Sequence, residues 1–196
     1  MANAVDAEDR LSQAQIDARL LASAKRGDVA ASRQLVEMHL DRLVGFAYRL
    51  LGDHGEAEDV AQEAFLRLWR RAPRWQAKAP VAHWLNKVAY NLSMERLRRR
   101  APLNLEDMPE LVDPGLDPAQ SLHGDQIGRQ VEAAIAALPE RQKVAVLLAH
   151  GQGYGNIEVA GIMEISVEAV ESLLGRGRRS LRATLGHLRS DLEGDL

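Results

Sequence analysis

Between Asn156 and Leu185 the apolar residues recur with a helical period, and no other stretch so narrows what this chain can fold into. With Val170 as origin and about 100° per residue, Leu173, Leu174, Gly177, Leu181, Leu185 and Leu188 fall within about 60° of it. Such a stripe needs a partner surface. The segment Asn156 to Met163 supplies one if the chain reverses through Glu164, Ile165 and Ser166, where Ser166 is suited to cap the second helix and the small Ala160 lets the helices approach. The opposite face carries Glu168, Glu171, Ser172, Gly175, Arg179 and Arg182, with Arg176 and Arg178 on its flanks. The stretch reads as a helix-turn-helix whose second helix can meet phosphates and base edges, or as an ordinary helical hairpin with a solvated face.

The rest of the chain keeps to helical spacing. Aromatic residues make up only 4% and period-2 alternation is almost absent, so the expected fold class is all-α. Cysteine is missing, which excludes disulfides and thiolate metal sites and suits a reducing cytosol. The histidines (His39, His54, His83, His123, His150 and His187) show no metal-ligand spacing, and no glycine fingerprint or catalytic triad appears. The residues therefore point away from an enzyme and away from any cofactor. VAVLLA, Val144 to Ala149, is far shorter than the roughly 20 residues that span a bilayer, and Asp6, Glu8 and Asp9 make the amino end unlike a signal peptide. The expectation is a soluble, cytoplasmic protein without membrane insertion. A net charge of -3 argues against a free-standing nonspecific DNA binder, because phosphate neutralisation supplies most of that affinity.

Taken in order, residues up to about Ser12 read as a polar, frayed lead-in, followed by a helix to Arg26 that stops at Gly27. Asp28 caps a second helix with Leu35, Leu40, Leu43, Val44, Ala47 and Leu51 at helical spacing, ending at Gly52; His39 among them reads as a packed side chain. Asp53 and Glu56 form a capping-box-like start to a helix from Ala57 to Arg71, whose core side is Val60, Ala61, Ala64 and Leu68. Its other side combines Glu58, Asp59, Gln62 and Glu63 with Leu66 and Trp69. Those apolar residues are either covered by the first helix or anchor a partner. After Pro73, a helix from Val81 to Arg100 buries Val81, Leu85, Val88 and Leu92. Beside that stripe lie His83, Trp84, Lys87, Tyr90, Asn91, Met94 and Arg98, aromatic groups interleaved with cations as an unpaired strand requires, or a solvated face leaning on the core. Residues 101–125, rich in acid and proline, read as a flexible linker between helical domains at 12–100 and 126–190. Gly151, Gly153 and Gly155 read as a flexible entry to the helix-turn-helix.

The order of these parts resembles the extracytoplasmic-function sigma factors, group IV of the bacterial sigma-70 family, over about residues 20 to 185. AEDVAQEAFLRLW is similar to region 2.2, WLNKVAYNLSMERLRRR to regions 2.3 and 2.4, and LPERQKVAVLL with NIEVAGIMEISVEAVESLLGRGRRSL to region 4. The resemblance implies a sigma factor that directs promoter-specific initiation, answers to stress or a signal, and is held by an anti-sigma factor. It implies core RNA polymerase at Asp59, Gln62, Glu63, Leu66 and Trp69, and the minus-10 element at Lys87, Tyr90, Asn91, Met94 and Arg98. The minus-35 duplex would meet Glu171, Ser172, Gly175, Arg176, Arg178 and Arg179. Three positions depart from the family's usual residues: Tyr90 and Leu173 replace arginine, and Glu164 replaces the glycine of the turn. The rival reading is an autonomous helix-turn-helix regulator, which would bind duplex alone, usually as a symmetric dimer.

Overall fold

In the computed structural model, residues 2–75, 80–100 and 122–193 are described, with side chains at 13–75, 80–100 and 127–186. Every regular element among them is helical, in two units, Met1–Ala101 and Pro102–Leu196.

The first unit holds α1 (Ala2–Ala24), α2 (Val29–Leu51), α3 (His54–Arg71), a 3-10 turn (Ala72–Arg74) and α4 (Val81–Arg100). The expected frayed lead-in is instead helical from Ala2. Its polar composition conceals Ala2, Ala4 and Ala7, the residue type with the best helix propensity. α1 is tied to α2 by a buried polar pair: Asp17, 1% exposed, accepts from the His39 ring at 3.0 Å and from the Gln13 amide at 3.1 Å. His39 is therefore a packed histidine, as expected.

Asp28 caps α2 by accepting from the Ala31 N–H at 3.1 Å, and Gly52 ends it with φ +71°, donating to the Tyr48 carbonyl. α3 begins at His54, three residues before the expected Ala57, because the Asp53 carboxylate captures the Glu56 N–H at 2.8 Å. Only half of a capping box forms. The Glu56 carboxylate meets Arg100 at 2.6 Å instead.

α2, α3 and α4 enclose a core of Leu35, Leu43, Phe46, Val60, Leu68, Val81 and Leu85. On α4 the expected stripe needs one correction, since Val88 is only half-buried while Asn86, Ala89 and Ser93 are buried. The buried line is centred about 30° toward Ala89 from Leu85, which leaves Val88 on its margin. Small residues there bring α4 close to its neighbours.

The basic end of α4 is largely structural. Arg100 donates to the Leu51 carbonyl at 2.9 Å, satisfying a carbonyl that the end of α2 leaves without a helical partner. Arg96 donates to the Glu56 carbonyl and lies 3.9 Å from Asp59, and Arg99 pairs with Glu95 at 2.6 Å. Arg98 is exposed.

The second unit holds α5 (Leu122–Ala136), α6 (Glu140–Val146), a π turn (Leu147–Gly151), α7 (Asn156–Met163) and α8 (Val167–Glu193). α5 starts inside the interval read as linker, for no proline follows Pro118 to stop it. The remainder of that interval, 101–121, lies outside the described residues. The glycine-rich entry to α7 is a bonded turn and not a slack one: the Gln152 N–H reaches the Leu147 carbonyl at 3.0 Å and the Tyr154 N–H the Leu148 carbonyl at 3.1 Å. Val144, Leu148, Val159 and Ile162 fill the core together with Val170 of α8.

Candidate docking groove and nucleic-acid interfaces

Three surfaces meet the expected site residues. The first is an open groove of about 760 Å³ between α2 and α3. Val36, Leu40, Val44, Phe65, Leu66 and Trp69 supply its apolar floor, with Asp41, Glu58 and Gln62 at its polar margin. Leu66 is 43% exposed although it is fully apolar. Among the described residues, which include α1 side chains only from Gln13 on, α1 contributes no lining residue to this groove. Trp69 is held by stacking on Phe65, ring centroids 6.4 Å apart.

Of the five residues assigned here from the sequence, Gln62, Leu66 and Trp69 line the groove. Asp59 is turned toward Arg96 of α4 and Glu63 toward Arg67. The Arg67 hydrogen bond holds the Glu63 carboxyl below its usual range, so it stays an anion beside the apolar patch. Val36, Leu40 and Val44 are site residues that sequence reasoning misses. In the sequence Leu40 and Val44 have the same spacing as the buried Leu43 and Ala47, and burial alone separates the two sets.

The second surface lies on α4 opposite Leu85, where Trp84, Lys87, Tyr90, Asn91, Met94 and Arg98 fall within about 60° of one line. Asn91 and Arg98 are exposed; Lys87, Tyr90 and Met94 are half-buried. At its upper end Trp84 meets Trp75 edge to face, centroids 5.9 Å apart and planes at 83°. The helix thus presents flat rings, an amide and cations along one side, groups that stack bases and hold phosphates.

The third surface belongs to the helix-turn-helix, which folds within the expected limits, α7 ending at Met163 and α8 beginning at Val167. The Ser166 hydroxyl accepts from the Ala169 N–H at 3.2 Å. That hydroxyl, after a backbone N–H of the first turn, holds the Glu168 carboxyl below its usual range. Glu171, Ser172, Arg176, Arg178 and Arg179 are exposed and Gly175 is half-buried, whereas Leu173 is 7% exposed and packs inward. Asn156, which no sequence pattern marks as a site residue, donates from its amide to the Glu171 carboxylate at 3.4 Å, joining the start of α7 to the exposed face of α8.

The turn is strained at Glu164, whose φ of +55° and ψ of +46° place a residue with a Cβ in the left-handed region. Glu164→Gly is expected to stabilise the second unit by about 0.5–1 kcal/mol, the relief of about 1–2 kcal/mol less the greater unfolded freedom of glycine. A rise in the denaturant midpoint with an unchanged m-value checks this; a fall would show that Glu164 makes a contact worth more than the strain.

Among the described residues no three His, Cys, Asp or Glu side chains converge to hold a metal ion, and no helix is long and apolar enough to cross a membrane.

Comparison with known proteins gives a consistent picture. Residues 35–102 match the family described as Sigma-70 region 2, and residues 128–181 match Sigma-70, region 4. The chain is 30% identical over 177 residues to the ECF RNA polymerase sigma factor SigM of Mycobacterium tuberculosis, covering 88% of this chain and 86% of SigM. It is 34% identical over 163 residues to the ECF RNA polymerase sigma factor SigE of Mycolicibacterium smegmatis, where the match covers 80% of this chain but spans only 63% of SigE. Among solved structures, CnrH in complex with the cytosolic domain of CnrY is similar with a TM-score of 0.64 and 26% identity, over 88% of this chain and 98% of CnrH.

Proposed function

Because the chain belongs to the extracytoplasmic-function sigma factors, a family of transcription initiation factors, we propose that its three surfaces divide promoter recognition among them. The α2–α3 groove docks on core RNA polymerase, the Trp84–Arg98 face of α4 receives the unpaired minus-10 strand, and α8 enters the minus-35 major groove. The observation that carries the reading is the groove. An exposed leucine and a half-buried tryptophan over an apolar floor, beside anionic Glu58 and Glu63, form a surface that water alone does not favour and that a basic-apolar partner would cover.

The arrangement explains selectivity without covalent chemistry. Strand capture needs bases removed from the stack, and aromatic rings on α4 offset part of that unstacking with stacking of about 1–3 kcal/mol per base. Arg176 and Arg178 lie about 160° apart on α8 with Arg179 between them, so a helix in the major groove would bring them to phosphates on its two walls. Glu171, exposed about 20° around the helix from Arg178, can accept from a cytosine amino group. Leu173, buried, leaves that reading to its neighbours.

The same groove suits an inhibitory occupant. An anti-sigma factor that covers it would keep polymerase away. CnrH, with which this chain shares its fold and 26% of its residues, was solved with the cytosolic domain of CnrY bound. We place this exchange in the cytoplasm, where the polymerase works.

Run-off transcription tests the reading. With purified core polymerase and the promoter of the protein's own operon, the wild-type chain is expected to start transcripts at one site. Gln62→Ala/Leu66→Ala, which truncates two groove residues with exposed side chains, is expected to lose that activity by an order of magnitude or more while keeping its thermal melt. Tight duplex binding by the chain alone, with no polymerase-dependent initiation, would instead favour an autonomous regulator.

A further inference from the structure

Asn156 is the first residue of α7, a place that its own chemistry does not favour. Asparagine suits the position before a helix, where its side chain caps the first turn, and is a poor choice within one. Here the position before the helix belongs to Gly155, and the entry is tied by the Glu158 carboxylate, which accepts from the Gly155 N–H at 2.9 Å. The Asn156 amide is thus spared for another use. Its Nδ2 donates to Glu171 Oε1 at 3.4 Å, from one helix to the other across fifteen residues of chain.

On its own helix Glu171 meets no cation. The residues three and four places away are Val167, Glu168, Leu174 and Gly175, so the usual helical ion pair cannot form. Among the described residues the Asn156 amide is the hydrogen-bond partner of this carboxylate. Gly175, one turn further along, is a second feature that the fold does not require. A Cβ there would meet nothing closer than the far end of Arg179, Nη1 at 3.8 Å, so packing leaves room for alanine, which favours a helix far better. Gly175 lies about 40° around α8 from Glu171 and about 6 Å along its axis, and the missing side chain leaves a notch open beside the carboxylate.

We propose that Asn156 is a positioning residue, which holds Glu171 beside the notch at Gly175 so that the carboxylate accepts from the amino group of one cytosine in the minus-35 duplex. The inference rests on the duplex-reading role given to α8. Glutamate is among the side chains that lose most rotamer freedom on being fixed, and the Asn156 bond takes part of that loss before DNA arrives. Cytosine suits the site better than adenine does. A carboxylate can only accept; cytosine shows the major groove an amino donor and no acceptor, whereas adenine sets its N7 acceptor beside the amino group.

The test uses holoenzyme assembled from the full chain and core polymerase. Its probe is the promoter of the protein's own operon with the minus-35 element randomised. Duplexes selected by the wild type are expected to carry cytosine at one position with a preference of about tenfold, which Glu171→Ala reduces to about twofold. Asn156→Ala is expected to cause the same loss at that position and at no other, and to add nothing once Glu171→Ala is present. Asn156→Asp, which keeps the size but puts an oxygen in place of the donating N–H, is expected to lose the preference as well. A wild-type preference in Asn156→Ala, or a double variant worse than either single one, would overturn the positioning role and leave α8 as the reading helix. Weaker binding of Asn156→Ala to every sequence alike would overturn it too, by giving the amide to a DNA phosphate. A wild-type holoenzyme that selects no minus-35 sequence would overturn both readings.

Discussion

Gly177→Leu is expected to unfold the second unit and with it to abolish binding to minus-35 duplex. α8 packs on α6 at this point so closely that a Cβ on residue 177 would sit 2.9 Å from Val146 Cγ2, with Gln142 Cβ at 3.8 Å. Val146 is 3% exposed and β-branched, so it cannot swing aside as a long flexible chain would. Even alanine meets this obstacle, and its gain of about 1 kcal/mol in helix propensity is opposed by overpacking of about 1–3 kcal/mol. Leucine adds three further carbons in the same place. A cost of about 3 kcal/mol or more follows, a large share of the stability of a small helical unit.

Hydrogen exchange by segment checks this result. Protection should vanish across α6 to α8 and persist in α2, α3 and α4, whose packing does not involve residue 177. Val146→Ala in the Gly177→Ala background should return most of what Gly177→Ala loses, because the two sites couple directly. Full protection in the Gly177→Leu chain would show that α8 can slide on α6 and that the close approach is not required.

The second large effect is electrostatic. Replacing Arg176, Arg178 and Arg179 together by alanine is expected to leave the fold intact, since all three are exposed on α8 and alanine favours a helix. Duplex binding should fall steeply. Each phosphate released on double-stranded DNA changes the salt exponent by about 0.9, so the triple variant should show a slope shallower by roughly 2.7. Over a fourfold rise in salt, wild type would then lose roughly 40-fold more affinity than the variant. Measured as holoenzyme binding to a duplex minus-35 fragment, a parallel salt dependence in the two proteins would remove these arginines from the interface. A change in sequence preference without a change in slope would give them to base edges instead.

The α7–α8 hairpin and the end residues of α2 are legible in the sequence because their signals are local. Ser166, Asp28 and Gly52 act on backbone groups within four residues, and the stripe through Val170, Leu173, Leu174 and Gly177 follows from helical geometry alone. The early start of α1 is not, since its polar composition suggests fraying where alanines support a helix. The role of Arg96 and Arg100 is also out of reach. A run of cations at a helix end looks the same whether it meets solvent, DNA or the carbonyls of another helix 40 to 49 residues away.

The sequence by itself determined the helical class, the places where chain direction reverses, and which residue types lie on each face of each helix, for these depend on short-range sterics and a fixed period. The tertiary structure decided which apolar residues are core and which are floor. Leu40 and Val44 share their spacing with Leu43 and Ala47, yet one pair lines an open groove with Leu66 while the other is buried. Periodicity gives a side chain its angle on a helix. Only the position of the neighbouring helix says whether that angle ends in protein or in a surface left for a partner.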